Sequence, residues 1–184
     1  WDGIDRFLWR FQDAVRKLKY TPVPVIGAPS GLAAGGGYEV LAHCDKLVVH
    51  TNSVMGLVEA GVGVVPGGGG IKETYLRWSD AKGSWDDAAW QTWMNLGYGL
   101  TGSSPQLSAR LQYFRDGYDE TIMNRDRLLP RAIALVGEMQ DGYAAPTPPV
   151  AKLASWELHE KMDKFMQDGV GRGDFMPHDR TVAM

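Results

Sequence analysis

The residues best suited to chemistry are a run of three glycines and two glutamates. Gly35-Gly36-Gly37 leads into Tyr38-Glu39, and Glu59 follows within an apolar, glycine-rich stretch. Where a glycine turn opens a helix, the first amides lack partners and the helix dipole adds positive potential. Such amides can bind an oxygen that carries negative charge, and glycine permits its close approach. A purely structural tight turn explains this motif equally well on its own.

The two glutamates are expected to lie in unlike environments. Glu39 falls in the first turn of a predicted helix, where an acidic residue also stabilises the helix dipole. Glu59 is flanked by apolar residues, and burial would raise the pKa of its carboxyl group. This contrast predicts that Glu39 stays ionised as a base and that Glu59 donates a proton, with one water molecule between them. A helix that begins at Gly67–Gly70 would form a second wall behind Glu59.

Two strands and a helix must position the glycine turn. Pro22 and Pro24 end the preceding helical pattern, and Val23, Val25 and Ile26 read as a short buried strand. Residues 38–44 are helix-like, and 46–51 form a second β-branched strand. The order of strand, glycine turn, helix and strand is a βαβ unit, which pairs its strands in parallel through a right-handed crossover. The sequence therefore predicts an α/β fold.

Most of the remaining chain has helical patterns. Helices are predicted at 4–18, at 71–78, within 79–104, and at 107–123, 124–140 and 150–167. The pattern over 107–123 is interrupted at Asp116-Gly117. A proline-rich linker is expected near 144–149, and the glycines from Gly169 onward predict a flexible tail.

Composition and charge exclude several classes of protein. The chain has 184 residues, of which 44% are hydrophobic, and this suits one globular domain. A net charge of −3 with dispersed Lys and Arg gives no nucleic-acid footprint. No apolar run is long enough to span a bilayer, and no secretion signal is visible, so a cytoplasmic protein is expected. A single cysteine, Cys44, excludes an internal disulfide. The start at Trp1 without a methionine indicates a piece of a longer polypeptide.

Other motifs are set aside. Lys72 follows Ile71 rather than a glycine, so the turn before it is not a phosphate loop. Ser30 is not in a nucleophile elbow. The four histidines are scattered, and no metal site is predicted. Cys44 is expected to be a small core residue, and the tryptophans between 78 and 93 are assigned to packing rather than to an acyl pocket.

Two segments, Pro24–Asp45 and Met55–Gly70, resemble the signature of the enoyl-CoA hydratase/isomerase (crotonase) superfamily. The resemblance implies a crotonase-like ββα spiral core, here partial and without its N-terminal strands, over residues 1–104. A helical C-terminal region is expected over 105–184. The resemblance also implies that the Gly36 amide is an oxyanion donor and that Glu39 and Glu59 are a hydratase pair. The substrate-binding glycines that it implies are Gly35, Gly37 and Gly67.

The implied activity is addition of water to a trans-2-enoyl-CoA, as in fatty-acid β-oxidation. Coenzyme A enters as part of the acyl-CoA thioester substrate, and no metal or redox cofactor is needed. An enoyl-CoA isomerase and a non-catalytic assembly module are the alternatives. Family members with isomerase or other activities usually lack one of the two glutamates, so the presence of both favours hydration. Crotonase relatives often form trimers or hexamers, so a homo-oligomer is expected.

The C-terminal part resembles a narrower group. Residues 119–129 and 141–149 are similar to bacterial fusions of a 3-hydroxyacyl-CoA dehydrogenase with a crotonase domain. The Rossmann glycine pattern is absent, because Val40 stands where its third glycine belongs. A dehydrogenase half would therefore lie outside these residues, as would the second oxyanion donor and most CoA contacts. An inactive isolated chain is accordingly one expectation.

Overall fold

A computed structural model describes all residues 1–184, as eight α-helices and six short strands. The helices are α1 (Asp2–Lys19), α2 (Gly36–Ala42), α3 (Gly70–Lys82), α4 (Trp85–Gly97), α5 (Pro105–Ala109), α6 (Leu128–Gln140), α7 (Trp156–Arg172) and α8 (Pro177–Ala183). The strands are β1 (Ile26–Gly27), β2 (Leu32–Ala34), β3 (Lys46–His50), β4 (Val54–Gly56), β5 (Thr101–Gly102) and β6 (Glu120–Ile122). Short 3-10 helices lie at Glu59–Val62 and Arg125–Arg127. The predicted α/β class with a helical C-terminal region is confirmed.

The strands form two small sheets. The glycine turn follows β2 of one sheet and begins α2, which leads to β3 of the other. In the first sheet β3 lies between β1 and β6, with both pairings parallel, and in the second β4 lies between β2 and β5. The parallel pairing of β1 with β3 across α2 confirms the predicted βαβ unit. Strand β2 was not predicted; it comes between β1 and α2 and pairs with β4. It therefore ties the turn before α2 to the segment that leads to Glu59.

The first strand begins later than the sequence suggested. Val23 is exposed, and β1 starts at Ile26. Pro24 has no N–H for a sheet ladder, and the amide of Val25 donates instead to the carboxylate of Asp45, over 2.7 Å. These contacts fix the end of the α2 segment against the start of β1.

The main core holds α2 against β3 and β4. Tyr38 and Tyr113 are fully buried, with their ring centroids 4.6 Å apart, and they pack with Leu47 and Met55. The Arg77 guanidinium reaches into this cluster from α3 and donates to the Tyr38 hydroxyl over 3.1 Å. Helix α2 is short, so this packing rather than its own length holds it in place.

Cys44 lies in the same cluster, where it acts as a small buried residue as predicted. Burial raises the pKa of its thiol to about 11, which leaves the sulfur as a neutral thiol at ordinary pH. A smaller second cluster joins Val48 of β3 to Leu128, Ala132 and Leu135 of α6. Helix α6 and the 3-10 turn before it match the helix predicted over 124–140.

The helix predicted over 107–123 is wrong. Helix α5 ends after five residues, Gln112 takes a positive φ of 60°, and the chain then enters β6. The buried Asp119 carboxylate accepts a hydrogen bond from the Leu47 amide over 2.9 Å, and Arg115 also donates to it. These contacts direct β6 into the sheet, so residues on both sides of the predicted 104/105 boundary share one sheet.

The flexible tail predicted from Gly169 is also wrong. Gly169 lies inside α7, and the Phe175 ring packs against the space where a side chain would be. Helix α8 follows, and its Arg180 pairs with Asp163 of α7 over 2.8 Å. Small residues here permit close packing rather than disorder. None of the helices combines the length and the apolar character that crossing a membrane requires.

Candidate active site

Glu39 points from the first turn of α2 into the loop that begins α3. Its side chain is almost completely buried, with the residue 2% exposed. The amides of Gly68 and Gly70 both donate to its Oε1 atom, each over 2.8 Å. A Cβ atom at Gly70 would lie 2.9 Å from Glu39 Cγ, which is closer than normal packing allows. The second glycine run therefore binds the Glu39 carboxylate, a contact that the sequence analysis did not predict, and the helix that follows it also lines a cavity beside Ala60 and Gly61.

The Glu59 side chain lies against the first glycine run, at Gly35. Glu59 begins the 3-10 helix after β4, is partly exposed, and has a buried Oε2 atom without a hydrogen-bond partner. A Cβ atom at Gly35 would lie 3.0 Å from Glu59 Oε1. Gly35 has a φ of 58°, which favours glycine, and its amide donates to the Gly56 carbonyl over 2.8 Å. The turn thus brings Glu59 to the entrance of α2.

The structure reverses the predicted burial of the two carboxyl groups. Desolvation raises the pKa of Glu39, the amides of Gly70 and Gly68 oppose that change, and the nearby charge of Glu59 adds to it. The sequence predicted that Glu59 would be the desolvated group. It could not show that the turn of α2 carrying Glu39 is covered by the loop before α3. Both glutamates contact one residue, because the Glu39 amide donates to the Gly35 carbonyl over 3.0 Å and Glu59 Oε1 lies beside Gly35.

Gly36 and Gly37 lie at the start of α2. Gly36 is the first helical residue, so its N–H has no acceptor within the helix. A Cβ atom at Gly36 would contact the Phe11 ring at 3.6 Å, an ordinary van der Waals distance. A Cβ atom at Gly37 would meet nothing within 4 Å. Close approach therefore requires glycine at Gly35 more than at these two positions.

Gly67 lies at the edge of the site beside α1. Its carbonyl accepts a hydrogen bond from Gln12 Nε2 over 2.8 Å, and a Cβ atom there would lie 2.6 Å from Leu8 Cδ2. Helix α1 thus covers one side of the loop that holds Glu39. The substrate-binding roles of Gly35, Gly37 and Gly67 stay predictions.

A large, chiefly apolar cavity of about 1090 Å³ lies beside the segment that contains Glu59 and the loop that holds Glu39. It includes Ala60 and Gly61, next to Glu59, and Gly69, in the loop that holds Glu39. Helices α3, α4, α7 and α8 supply most of the other lining residues, which are chiefly apolar. Trp93 lines the cavity and packs against Phe165, so this tryptophan belongs to both a cavity wall and an aromatic cluster.

The sequence analysis missed three residues beside Glu39. His43 is 3% exposed, and its Nδ1 atom lies 2.7 Å from the Glu39 carbonyl oxygen. Its Nε2 atom lies 3.5 Å from Glu73 Oε1, and Glu73 Oε2 accepts from Lys19 over 2.6 Å. The i, i+4 spacing of Glu39 and His43 on one helix was the available signal. Nothing in the sequence indicated that Lys19 and Glu73 would join them.

Comparisons with known proteins identify similar sequences. Residues 5–78 match the family described as enoyl-CoA hydratase/isomerase. The probable 3-hydroxyacyl-CoA dehydrogenase of Bacillus subtilis is 32% identical over 151 residues, which are 82% of this chain and 19% of that protein. Human mitochondrial methylglutaconyl-CoA hydratase is 41% identical over 69 residues, which are 38% of this chain and 20% of that protein.

Solved structures show the same fold. The crystal structure of enoyl-CoA hydratase from Bacillus anthracis superposes with a TM-score of 0.61 at 19% identity, and the match covers 74% of this chain and 47% of that one. The chain belongs to the crotonase superfamily, that is, to the enoyl-CoA hydratases and isomerases. It spans about a fifth of the length of the two curated relatives described above.

Proposed function

We propose that the site adds water across the double bond of a trans-2-enoyl-CoA to give a 3-hydroxyacyl-CoA. The observation that carries this proposal is that both glutamates contact the turn that begins α2. The Glu39 amide donates to the Gly35 carbonyl over 3.0 Å, and the Glu59 carboxyl group lies beside Gly35. The loop before α3 holds the Glu39 carboxylate, and the Gly36 amide at the start of α2 has no partner within the helix. These are the groups that a hydration requires: a base, an acid and a donor for the thioester oxygen.

The geometry of Glu39 suits the base. The two amides hold its Oε1 atom in place, so Oε2 is the oxygen that accepts the proton of a water molecule. Burial raises the pKa of this carboxyl group, and its conjugate carboxylate is therefore a stronger base than an ordinary glutamate. Removal of the proton produces a hydroxide that bonds to C3 of the enoyl group.

Glu59 completes the addition. As the C3–O bond forms, the electrons of the double bond move toward the thioester, and negative charge collects on its oxygen. The Gly36 amide stabilises that charge. A protonated Glu59 then transfers its proton to C2, and its buried, unpartnered Oε2 is the atom available to carry it. Glu39 loses its gained proton and Glu59 regains one, which restores both groups.

The apolar cavity supports an acyl-chain substrate. It lies beside Ala60 and Gly61, and its lining from α3, α4, α7 and α8 is chiefly apolar. A hydrocarbon chain in this space would be removed from water, which is favourable in proportion to the area buried. The acyl end of the substrate would therefore extend from the glutamates into the cavity.

A role in fatty-acid β-oxidation, beside a dehydrogenase, is part of the same proposal. Two curated relatives bear the names probable 3-hydroxyacyl-CoA dehydrogenase and putative fatty acid oxidation complex trifunctional enzyme. The product of hydration is the substrate of a 3-hydroxyacyl-CoA dehydrogenase, so the two activities would be consecutive. A homo-oligomer and a cytoplasmic location remain further predictions.

The test measures hydration of a trans-2-enoyl-CoA by an intact protein that includes this chain, unsubstituted and with Glu59→Gln or Glu157→Gln. Glu59→Gln should lower turnover by about 10²- to 10⁴-fold, the usual contribution of a general acid. Calorimetric affinity for a saturated acyl-CoA should stay within about twofold, because the change removes one proton and no bulk. Glu157 is exposed on α7, and its variant is the control.

Three results would contradict the proposal. Unchanged turnover in Glu59→Gln would remove the acid from the mechanism. Faster conversion of a 3-enoyl-CoA than of the 2-enoyl-CoA would favour the isomerase. A lack of heat with any acyl-CoA would favour a non-catalytic assembly module.

A further inference from the structure

A buried cluster of polar and charged side chains contacts the backbone of Glu39 through His43. It consists of Lys19 at the end of α1, His43 at the end of α2 and Glu73 in the first turn of α3. The side chains of His43 and Glu73 are 2% and 5% exposed, and that of Lys19 is 17% exposed. Burial of charged groups is costly unless they are paired. The mechanism proposed above uses none of these three side chains.

The contacts of His43 fix its protonation and its orientation. Its Nδ1 atom lies 2.7 Å from the Glu39 carbonyl oxygen, which can only accept, so Nδ1 carries the proton and donates. The Cε1–Nε2 edge of the ring faces Gly69, where a Cβ atom would lie 3.1 Å from His43 Cε1 and 3.2 Å from its Nε2 atom. The imidazole therefore fills the space between the backbone of Glu39 and the loop before α3.

Glu73 connects that loop to α1. Its amide donates to the Gly69 carbonyl over 3.1 Å, and its Oε2 atom accepts from Lys19 Nζ over 2.6 Å. Lys72 lies 3.0 Å from the other oxygen, and His43 Nε2 lies 3.5 Å from it. Three helices are thus joined through one carboxylate at the point where the glycine loop turns into α3.

The glycine loop has little intrinsic rigidity. Gly67, Gly68, Gly69 and Gly70 are consecutive, and glycine loses more conformational freedom on folding than any other residue. The amides of Gly68 and Gly70 nevertheless hold Glu39 Oε1 with matched distances of 2.8 Å. External contacts must hold the loop in this conformation. The His43 ring packs against Gly69, the Glu73 amide donates to the Gly69 carbonyl, and Gln12 donates to the Gly67 carbonyl. The Glu73 carboxylate acts on the loop through the His43 ring, whose Nε2 atom lies 3.5 Å from it.

We propose that Lys19, His43 and Glu73 are positioning residues for Glu39, because they hold the glycine loop whose two amides orient its carboxylate. They contact neither the water molecule nor the acyl group. The consequence for turnover depends on the proposed function, whereas the effect on the loop does not. Catalytic groups need support of this kind, since small displacements of a general base cost much of its effect.

The experiment follows amide hydrogen exchange by NMR in the full chain. Glu73→Gln keeps the shape of the side chain and removes its charge, and His43→Leu removes the donor to Glu39. In both variants the amides of Gly68 and Gly70 should exchange about tenfold faster, while those of Leu47 and Val49 in the core stay within about twofold. Asp80→Asn is the matched control, because Asp80 is an exposed acid on the same helix.

His43→Asn separates positioning from general stability. An asparagine amide can replace the Nδ1 donor of the imidazole. This variant should recover most of the exchange protection that His43→Leu loses. In the hydration assay the Leu and Gln variants should show a fall in kcat of about tenfold with KM within about twofold, because an imprecise base affects the chemical step alone.

Unchanged exchange at Gly68 and Gly70 in folded Glu73→Gln and His43→Leu would overturn the positioning role. Equal acceleration of the Leu47 and Val49 amides would also overturn it, since the cluster would then serve general stability. Absence of hydration activity in the unsubstituted intact protein would contradict the proposed function only. The exchange rates decide the positioning role separately.

Discussion

The surroundings of Glu39 and Glu59 differ more than their sequence contexts suggest. Both glutamates lie close to a glycine run, and each was assigned a catalytic role from that context. Glu39 is enclosed: two amides bind one of its oxygens, and Gly68 and Gly70 leave no room for a side chain. Glu59 lies in a one-turn 3-10 helix, is partly exposed and has a buried oxygen without a partner.

The difference shows how one fold can produce two kinds of carboxyl group. Fixed amides orient the Glu39 carboxylate, while burial makes it costly to charge. Glu59 is less constrained, and its free oxygen can exchange a proton with a substrate. The enclosure of Glu39 and the partial exposure of Glu59 are physical properties that substitutions can test separately.

The largest expected effect comes from Glu39→Gln. A glutamine oxygen can still accept from the Gly68 and Gly70 amides, so the fold should persist while the base is lost. Turnover of a trans-2-enoyl-CoA should fall by about 10²- to 10⁴-fold. Steady-state kinetics with circular dichroism measures this, and a variant that retains more than about a tenth of the activity would exclude Glu39 as the base.

Gly68→Ala and Gly61→Ala compare the packing around Glu39 with the packing near Glu59. At Gly68 a Cβ atom would overlap the Phe11 ring and lie 2.8 Å from Glu39 Oε2, whereas at Gly61 it would meet nothing within 4 Å. Overpacking should lower the free energy of unfolding by about 1–3 kcal/mol at Gly68. The change at Gly61 should stay within about 0.5 kcal/mol. Urea denaturation measures both, and equal effects would contradict the enclosure of Glu39.

Gly35→Ala examines the turn between the two glutamates. Its φ of 58° is unfavourable for alanine by about 1–2 kcal/mol, and the new methyl would press on Glu59 Oε1. Gly37→Ala is the control, because that position is helical and open, and alanine there should stabilise by about 0.5–1 kcal/mol. Chemical denaturation of the two variants should therefore give shifts of opposite sign. A stabilising Gly35→Ala would show that the turn is not strained for other residues.

The smallest effect is the pH dependence of stability at Glu39. The pKa of this carboxyl group is raised in the folded protein from its ordinary value of 4.5. The folded state therefore binds the proton more tightly, and the resulting stabilisation is present below pH 4.5 and lost as pH rises through the raised pKa. The stability of Glu39→Gln relative to the parent should increase over that interval.

Thermal unfolding at a series of pH values measures this difference. Glu157→Gln should show a flat difference over the same range, because Glu157 is exposed. If the stability of Glu39→Gln relative to the parent declined with rising pH, the two amides would lower the pKa of Glu39 by more than desolvation raises it.

Several parts of the fold could be predicted from the sequence because they are periodic or interrupted by proline and glycine. The apolar spacing of α1, the β-branched run of β3 and the pattern of α6 each specify a local structure. Burial was less predictable. In α1, Ile4 and Phe7 are more than half exposed, although their spacing is that of a buried face.

The short strands escaped prediction for a physical reason. β2 and β6 have three residues each, which is too few to show a strand period, and they exist because β4 and β3 supply their hydrogen bonds. The cluster formed by Lys19, His43 and Glu73 escaped prediction for a related reason. Lys19, His43 and Glu73 belong to three different helices, and no local pattern links them.

The sequence by itself determined which residues can carry the chemistry, since the glycine runs and both glutamates follow from residue type and spacing. Only the tertiary structure decided which carboxyl group is buried. That outcome depends on a loop thirty residues away along the chain, and the desolvation of Glu39 comes from the atoms packed around it rather than from its neighbours in sequence. The sequence determined two glutamates and a glycine turn, and the packing of α1 and α3 around α2 determined the electrostatic environment of Glu39.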